Sequence, residues 1–475
     1  MKKHLWINGE HVEAKEYKSL ITPYSKELLA DVAVANEEEI TKAIDAAENA
    51  FEKMRDMHAY DKADILNKVA YLLKEKKEFA AQLIAKEAGK PIKAATSEVD
   101  RTIMTYTFAA EEARRMTGET IMMDAAPGGE NRTGYTVFEP LGIVGAITPF
   151  NFPMNLVAHK LGPALAAGNT VVLKPATQTP LSSYFIAELF DQAGLPKGAL
   201  NVVTGSGKTI GDLFTTDNRI KALTFTGSPN VGKALKERAG MRKILLELGS
   251  NSGVILDKHQ DIVSSVKRCV QGAFSYSGQV CISVQRLYVH EEIYDDVISE
   301  LIHQTKSLVT GDPLNEKTDV ASLISEEDVE RTLNWIEEAL NDGAKLVHGG
   351  KSIGHQMVEP TVLTNVSDDC KLSREEAFAP ILIVNTFKEL DEAIFRLNNS
   401  KYGLQAGIFT DDIHKAFKAA KKIHAGGIMI NDIPTFRVDH MPYGGVKDSG
   451  FGREGIKYAV KELSEMKFIC INHKE

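Results

Sequence analysis

Residues 141–175, LGIVGAITPFNFPMNLVAHKLGPALAAGNTVVLKP, give the clearest indication of the fold class. It contains a strand-like run, a helical pattern near residues 156–167 and a second strand-like run. Outward along the chain, a helical pattern at 180–193 leads to ALNVVTG (199–205), and another helical segment leads to ALTFTG (222–227). Strands that alternate with helices are typical of a parallel sheet covered on both faces. The sequence therefore predicts a doubly wound α/β domain.

The same alternation starts again after ILLELG, residues 244–249. The strand-like runs are QRLYVH (285–290) and the segments near 381–384 and 404–409, and the intervening helical patterns lie near 262–275, 292–308 and 326–340. The predicted fold class is therefore α/β, with two doubly wound, Rossmann-like domains and a β-hairpin oligomerisation arm.

The first quarter of the chain has a helical pattern, and a hairpin follows it. One helix begins at Asn36, which forms a capping-box pattern with Glu39, and two further helices are predicted over residues 61–88 and 101–118. Two strand-like runs near Ile121 and residues 135–138 flank a Pro-Gly-Gly turn whose polarity excludes a core position. A two-stranded arm is marginal alone, so we expect it to pack on another subunit. The final run EMKFICI alternates like a strand whose partner is distant or in another subunit.

These patterns predict the domain limits. The dinucleotide-binding domain comprises residues 1–118 and 140–246, the catalytic domain residues 247–445, and the oligomerisation arm with the C-terminal strand residues 119–139 and 446–475.

Charge and cysteine content exclude several classes of protein. The net charge is −9 over 475 residues, and the basic residues are scattered, so we expect neither nucleic acid nor a membrane as partner. No apolar run is long enough to span a bilayer. The four cysteines lack paired spacing, which indicates reduced thiols, no metal site and a cytoplasmic location.

Two glycine-containing turns follow predicted strands. GSGKT (205–209) lacks the first glycine of a phosphate-binding P-loop, because that position is Val202. Gly205, Gly207 and Gly211 remain, with a spacing one residue too long for the dinucleotide fingerprint, so a simple tight turn is an equal alternative. In FTGSPNVG, Gly227 and Ser228 follow a strand, and Val231 lies in the next helix. Backbone amides at such a helix N-terminus favour a pyrophosphate.

Two residues are candidates for catalysis. Cys281 follows a helix and a flexible stretch, and a thiol on a loop can be partly exposed and tuned towards thiolate, whereas Cys269 lies on the helix. Glu247 ends an apolar strand. Burial there would raise the pKa of this carboxyl, which suits a general base near neutral pH, while a solvated strand end is the alternative.

Seven motifs together resemble the aldehyde dehydrogenase superfamily, in its order and approximate spacing. They are PFNFP (149–153), KPATQTP (174–180), FTGS (225–228), LELG (246–249), GQVC (278–281), EEAFAP (375–380) and PYGGVKDSG (442–450). Within the superfamily, the chain resembles most the branch that oxidises lactaldehyde-type hydroxyaldehydes, and it is also similar to non-phosphorylating glyceraldehyde-3-phosphate dehydrogenases.

The resemblance implies a role for each matching residue. Cys281 would attack the aldehyde carbonyl, Asn151 with the Cys281 backbone N–H would hold the oxyanion, and Glu247 would activate the water that cleaves the thioester. Lys174 would bind the adenosine ribose, Glu376 the nicotinamide ribose, and Phe378 would form the apolar wall beside the nicotinamide. With the glycine-containing turns, the full set of predicted cofactor residues is Ile147, Thr148, Pro149, Phe150, Lys174, Thr177, Gly207, Gly211, Phe225, Gly227, Ser228, Val231, Glu376 and Phe378.

The chain departs from the family pattern at three positions. Ser250 replaces the second glycine of LELGG, near the path of the nicotinamide. Thr177 replaces the ribose-binding Glu of NAD-preferring relatives, so the cofactor is NAD or NADP, with NADP tolerated. Arg101 and Arg437 match anion-binding positions of the glyceraldehyde-phosphate branch, but Val280 replaces a third arginine. The loss of one of three cations favours a smaller or less charged aldehyde over the phosphate substrate. For either arginine, a structural ion pair is the alternative interpretation.

The predicted function is NAD(P)-dependent oxidation of a small, hydroxylated or anionic aldehyde to the carboxylic acid by a homodimer or homotetramer. One alternative is a CoA-acylating aldehyde dehydrogenase, against which Glu247 speaks because such enzymes do without a water-activating base. Another alternative, from a different class, is a cysteine hydrolase or acyltransferase that pairs Cys281 with a histidine. A non-catalytic relative is disfavoured by the presence of Asn151, Glu247 and Cys281 together.

Overall fold

The computed structural model describes residues 1–258 and 261–473; His259, Gln260, Lys474 and Glu475, which fall inside the predicted domain limits, lie outside the described residues. The strands of the described part are β1 (Lys2–Lys3), β2 (Leu5–Ile7), β3 (Glu10–Val12), β4 (Glu16–Ile21), β5 (Leu28–Val34), β6 (Thr120–Ile121), β7 (Arg132–Pro140), β8 (Ile143–Ile147), β9 (Thr170–Lys174), β10 (Leu200–Val202), β11 (Ile220–Thr226), β12 (Lys243–Glu247), β13 (Gly253–Leu256), β14 (Arg286–His290), β15 (Lys345–His348), β16 (Thr361–Thr364), β17 (Ile381–Phe387), β18 (Tyr402–Gly403), β19 (Gln405–Phe409), β20 (Gly427–Ile430), β21 (Val446–Lys447), β22 (Gly450–Phe451) and β23 (Ser464–Asn472).

The α-helices of the same residues are α1 (Glu37–Asp56), α2 (Ala59–Glu75), α3 (Lys77–Ala88), α4 (Ile92–Arg115), α5 (Asn155–Ala166), α6 (Leu181–Ala193), α7 (Gly207–Thr216), α8 (Pro229–Arg238), α9 (Ile262–Phe274), α10 (Tyr294–Lys306), α11 (Glu326–Asn341), α12 (Lys371–Arg374), α13 (Leu390–Asn398), α14 (Ile413–Lys422) and α15 (Ile456–Glu462).

The first sheet has eight strands in the order β22-β12-β11-β8-β9-β10-β2-β3. Strands β12, β11, β8, β9 and β10 are parallel, and the chain runs outward from β8 to β10 before it returns to β11 on the other side of β8. Side chains of β8 alternate between two cores: Val144 and Ala146 pack with α2, α4, α5 and α6, and Ile143 and Ile147 with α1, α7 and α8. The predicted doubly wound arrangement is confirmed.

The second sheet has seven strands in the order β15-β16-β17-β14-β13-β19-β20. Its strands are parallel except for β15, which pairs with β16 in the antiparallel direction. Helices α9 and α10 cover one face through Val266 and Leu301, and α13 covers the other through Ile394. The predicted second α/β unit is therefore present.

The N-terminal helices follow local signals in part. Asn36 forms the predicted capping box, because its Oδ1 accepts the Glu39 N–H (3.1 Å) and its own N–H donates to Glu39 Oε2 (2.8 Å). The helix expected over 61–88 is two helices, since the backbone leaves helical geometry at Lys76 (φ −103°, ψ 21°) without a Gly or Pro to mark the break. The next helix begins directly after Pro91, nine residues earlier than expected.

The predicted hairpin is present as β6 and β7, with Thr120 opposite Tyr135 and Ile121 opposite Gly134. The C-terminal strand β23 pairs with β7 along its whole length, from Ser464 opposite Pro140 to Asn472 opposite Arg132. The distant partner of EMKFICI therefore lies in the same chain. Part of the C-terminal segment serves the first sheet instead, because Phe451 of β22 pairs with Leu246 of β12.

Short strands at the N-terminus were not expected from the sequence. β2 and β3 extend the first sheet, with Trp6 opposite Val202, and β1, β4 and β5 form a small separate sheet. These strands are mostly two to six residues long, so their alternation is too brief to register as a periodic pattern. No helix within the described residues has the length and apolar character that crossing a bilayer requires.

Candidate active site

The carboxyl ends of β8, β9, β11 and β12 meet at one edge of the first sheet and carry Thr148, Lys174, Gly227 and Glu247 respectively. The strand order reverses between β8 and β11, which is where doubly wound sheets bind ligands. A cavity of about 870 Å³ lies over this edge. All fourteen predicted cofactor residues line it: Ile147, Thr148, Pro149, Phe150, Lys174, Thr177, Gly207, Gly211, Phe225, Gly227, Ser228, Val231, Glu376 and Phe378.

The lining of this cavity fits a dinucleotide. Two buried hydroxyl oxygens in it, those of Thr148 and Thr226, find no hydrogen-bond partner among the described residues. Lys174 Nζ donates to the Pro175 carbonyl (3.0 Å), and burial lowers the pKa of this ammonium to about 8. A side chain at Gly227 would meet the Phe225 ring at 2.6 Å. The cavity thus offers buried hydroxyl groups without partners, which suit a ribose, and backbone without a side chain, which suits a pyrophosphate.

Glu376 and Phe378 extend into the cavity from the loop between α12 and β17. Glu376 Oε1 accepts the Ser250 N–H (2.9 Å), and burial raises the pKa of Glu376 to about 7. Ser250, which departs from the family pattern, thus still holds the Glu376 carboxylate through its backbone N–H. Its hydroxyl lies 3.1 Å from that of Ser252. Phe378 has a left-handed backbone (φ 47°) and meets Phe150 edge-on. Strained backbone of this kind clusters at functional sites.

A strained and heavily anchored loop precedes Cys281. Tyr276, Ser277 and Gly278 all have left-handed φ angles, between 48° and 70°. The Tyr276 hydroxyl donates to the Ala88 carbonyl (2.9 Å), and Gln279 Oε1 accepts the Ile324 N–H (2.9 Å). These long-range bonds hold the loop against two distant segments and thereby fix the position of Cys281.

Cys281 lies between two cavities. It lines the 870 Å³ cavity and also a second one of about 880 Å³ on its other side. The thiol is half-buried, and its Sγ lies 3.0 Å from the Tyr443 hydroxyl. Burial raises the pKa of Cys281 to about 11, although the Tyr443 hydrogen bond and the Arg437 charge act in the opposite direction. Cys281 thus borders both cavities.

Asn151 is held by backbone contacts next to the thiol. Its Nδ2 donates to the Gln279 carbonyl (2.9 Å), and its own carbonyl accepts from Lys90 Nζ (2.6 Å). Lys90 forms a buried ion pair with Glu98, whose other oxygen accepts the Met154 N–H (2.9 Å). The amide nitrogen of Asn151 carries a second N–H, which Gln279 does not use. That group is a donor available to an oxyanion.

Glu247 ends β12 inside a buried cluster of charges. Its Oε2 has no hydrogen-bond partner among the described residues. Burial and the charge of Glu454 raise its pKa well above the ordinary value of 4.5. Glu454 is the opposite case: despite its burial, Lys160 and Arg437 lower its pKa to about 2. Of the two carboxyls, Glu247 is therefore the one that takes up a proton more readily.

Arg101 and Arg437 both line the second cavity, and each forms an ion pair. Arg101 Nη2 lies 2.7 Å from Asp439 Oδ1, and Arg437 Nη2 lies 3.0 Å from Glu454 Oε2. The Arg437 guanidinium also lies 3.6 Å from the centre of the Tyr443 ring, and its buried Nε finds no partner among the described residues. Both arginines therefore combine a structural contact with a position beside the cavity.

Several residues of the site were missed by sequence reasoning. Tyr443 lies inside the quoted motif PYGGVKDSG, but nothing in the motif indicates that its hydroxyl reaches the thiol. The Lys90–Glu98 pair has no local signal. The same is true of Asp439, which accepts from Asn155 Nδ2 (3.0 Å) and contacts His159 Nε2 (2.9 Å) behind Arg101.

Comparisons with known proteins agree with this geometry. The sequence matches the model of the aldehyde dehydrogenase family over residues 6–469. It is 45% identical over 468 residues to a 3-sulfolactaldehyde dehydrogenase of Priestia aryabhattai, with 98% of each chain covered. It is 40% identical over 474 residues to a lactaldehyde dehydrogenase of Methanococcus aeolicus, covering 99% of this chain and 100% of that protein.

A solved structure is also similar. It is that of the glyceraldehyde-3-phosphate dehydrogenase GapN from Methanocaldococcus jannaschii, complexed with NADP. The TM-score is 0.92 at 41% identity, with 96% of this chain and 100% of that chain covered.

Proposed function

The chain belongs to the aldehyde dehydrogenase family, and from this premise we propose that it oxidises a small aldehyde to the carboxylic acid through a covalent adduct on Cys281. As a member of that family it is an oxidoreductase that uses NAD or NADP and acts on the aldehyde group. The observation that carries the proposed mechanism is the place of Cys281, which lines two cavities at once. One cavity suits a dinucleotide, and the other is open to a substrate.

The first step is attack by the Cys281 thiolate on the aldehyde carbonyl, which forms a carbon–sulfur bond and an oxyanion. The side-chain amide of Asn151 and the backbone N–H of Cys281 hold this oxyanion. Preorganised donors of this kind contribute roughly 3–4 kcal/mol each to transition-state stabilisation. The Lys90–Glu98 ion pair keeps the Asn151 backbone in place during this step.

The cofactor, when bound, accepts the hydride that turns the adduct into a thioester. Lys174 is the residue that would hold the adenosine ribose, and the amides after Gly227 and Ser228 would hold the pyrophosphate. Glu376 would bind the nicotinamide ribose, and Phe378 would pack beside the nicotinamide. Each of these side chains reaches the same cavity, which supports the assignment.

We propose that NADP is accepted as well as NAD. Thr177 is exposed where the dinucleotide cavity meets a neighbouring space of about 400 Å³, and it carries no charge that would repel a 2′-phosphate. Lys18 lines that space. Glu16 and the buried Glu87 line the same space, so the proposal for NADP depends on Thr177, which carries no charge to repel the additional phosphate.

Hydrolysis of the thioester completes the reaction. The Glu247 carboxylate takes a proton from water, the resulting hydroxide attacks the thioester carbon, and the Cys281 thiolate leaves. The raised pKa of Glu247 suits this task, because a base is most effective when its pKa lies near the working pH.

The substrate that we propose is a short hydroxyaldehyde with an anionic group. Arg101 and Arg437 face the second cavity, and a guanidinium binds a carboxylate or sulfonate with two N–H groups. Val280 takes the place of the third arginine of the glyceraldehyde-phosphate branch, which favours a group less charged than a phosphate at that position; Lys93, Lys267 and Arg268 line other parts of the cavity. The names of the two curated relatives agree with this size, and one of them agrees with the charge: 3-sulfolactaldehyde carries an anionic sulfonate, whereas lactaldehyde is neutral.

The domain roles follow from the same assignment. Residues 1–118 and 140–246 would bind the dinucleotide, and residues 247–445 would supply the catalytic thiol. Residues 119–139 and 446–475 would supply the oligomerisation arm of a homodimer or homotetramer, except for β22, which pairs with β12 of the first sheet, and α15, which packs in the core of that sheet. The four free cysteines are compatible with a reducing compartment, and we propose a cytoplasmic location.

The alternatives lack a supporting observation. A CoA-acylating enzyme does not need a buried carboxyl such as Glu247 beside the thiol. A cysteine hydrolase needs a histidine, and within the described residues no histidine lines either cavity. His159, which lies behind Arg101, is bound to Asp439.

The decisive experiment is a turnover assay of purified protein without CoA. We expect reduction of NAD or NADP with lactaldehyde, glycolaldehyde, succinate semialdehyde and sulfolactaldehyde at different rates, with lower KM for the anionic members. Absence of turnover with both cofactors across the panel would contradict the proposed function. Equal KM values for neutral and anionic aldehydes would contradict the substrate class alone.

A further inference from the structure

Tyr443 is a buried residue in direct contact with the candidate nucleophile. Its side chain is 2% exposed, and the hydroxyl oxygen lies 3.0 Å from Cys281 Sγ. The backbone on either side is fixed, because Tyr443 and Glu454 exchange two N–H···O bonds of 3.0 and 2.7 Å. The ring is covered by the Arg437 guanidinium, 3.6 Å from its centre. The phenol is thus held against the sulfur from two sides.

The charges around the sulfur explain why a donor is needed there. Three charged groups act on Cys281: Arg437 favours the thiolate, whereas Glu376 and Glu247 oppose it. Burial and the Cys281 charge raise the pKa of the Tyr443 phenol well above 10, so the phenol keeps its proton when the thiol loses one. In that state the hydroxyl is the donor and the sulfur is the acceptor.

We propose that Tyr443 is a further catalytic residue, whose hydroxyl donates a hydrogen bond to the Cys281 thiolate. The bond holds the negative charge before attack on the carbonyl. It holds the same charge again when the carbon–sulfur bond of the thioester breaks and the thiolate leaves. The phenol proton stays on its oxygen throughout, so the residue changes the energy of the thiolate without taking part in proton transfer.

Arg437 strengthens this donor. A cation over the face of a ring withdraws electron density from it, which makes the phenol proton more positive. The Glu454 ion pair keeps the guanidinium in that position (3.0 Å). The inference rests on the proposed role of Cys281 as nucleophile and adds a second function to Arg437 beside contact with the substrate.

The test is the pH dependence of Cys281 alkylation by iodoacetamide in Tyr443→Phe, followed by peptide mass spectrometry without cofactor or aldehyde. A hydrogen bond to a charged acceptor corresponds to about one to two pKa units, so we expect the kinetic pKa of Cys281 to rise by that amount. At pH 8 the rate should fall about three- to tenfold, because the smaller thiolate fraction is partly offset by greater intrinsic nucleophilicity.

Two controls separate this effect from a structural one. Tyr184→Phe removes another buried phenol hydroxyl, which contacts Thr204 Oγ1 (2.8 Å) and lines neither cavity, so it should leave the Cys281 profile unchanged. The second control is the limiting rate of Cys281 alkylation at high pH. A change in access to the sulfur would alter the limiting rate at high pH but would leave the kinetic pKa where it is.

A second variant changes the donor without removing it. Difluorotyrosine placed at position 443 has a more acidic phenol, so the kinetic pKa of Cys281 should fall instead of rise. A Cys281 pKa that stays at the parental value in both variants would overturn the proposal. Because alkylation needs no turnover, that result would leave the aldehyde dehydrogenase activity of the parent protein untouched.

Discussion

At the scale of single residues, burial determines the chemistry of this site. Cys281 and Glu247 would both act without their protons, yet burial favours the protonated form of each. The structure partly compensates with donors and cations, of which Tyr443 and Arg437 are nearest to the sulfur. The balance between desolvation and these contacts sets the pH range in which the enzyme works.

We expect kcat/KM for the aldehyde to rise with pH between 6 and 9. Both reacting groups have raised pKa values, about 11 for the thiol, so their deprotonated fractions still increase across this range. The measurement requires saturating cofactor, because Lys174, with a pKa of about 8, loses its charge in the same range. A flat profile from pH 6 to 9 would show that neither proton has to leave.

Replacement of Glu247 by Gln should separate the two halves of the reaction. The amide cannot take a proton from water, so the first turnover should appear as a burst of reduced cofactor. Steady turnover should be slower by about 10²- to 10⁴-fold. Glu237→Gln, an exposed change on α8, is the matched control and should behave like the parent. Parental steady turnover in the Glu247 variant would refute the deacylation role.

At the scale of elements, the loop between α9 and β14 is the part whose backbone matters most. Gly278 has a left-handed φ of 70°, and a Cβ there would collide with the Ala379 carbonyl oxygen. Ala379 belongs to the same segment as Phe378, so the loop that carries the thiol packs on a loop that lines the 870 Å³ cavity. Glycine at position 278 allows the two loops to pack closely against each other.

We expect Gly278→Ala to fold and to lose activity about a hundredfold, because displacement of a reacting group by about 1 Å has that effect. Gly343→Ala is the matched control: its φ is also positive (97°), but a Cβ there meets no atom within 4 Å. Steady-state kinetics together with circular dichroism distinguish lost geometry from lost folding. Parental activity in Gly278→Ala would mean that the loop is less constrained than the contacts indicate.

At the scale of the whole molecule, the sheet formed by β6, β7 and β23 leaves apolar side chains in solvent. Met466 and Phe468, two residues apart on one face of β23, are 61% and 50% exposed, and Ile471 is 45% exposed. A three-stranded sheet with an uncovered apolar face is a surface that another copy of the chain can cover. This is the basis for the proposed homodimer or homotetramer.

The assembly can be tested with Phe468→Asp. We expect the parent protein to have the mass of a dimer or tetramer by light scattering, and the variant to shift to a smaller species because a buried charge would oppose the interface. Met241→Asp, at a fully exposed position in the turn after α8, should keep the parental mass. A monomeric parent, or an unchanged mass in the Phe468 variant, would contradict the arm as an assembly surface.

The order of most strands and helices and the glycine-containing turns could be predicted from the sequence, because periodicity and turn motifs are properties of neighbouring residues. The residues also made Cys281 and Glu247 candidates for catalysis, and the family resemblance added Asn151. The packed structure was needed to show that Tyr443 reaches the sulfur, that Lys90 holds Asn151, and that Arg101 and Arg437 are already paired. These contacts join residues that are 17 to 338 positions apart in the chain. Their geometry follows from how two sheets and their loops pack, and no local pattern records it.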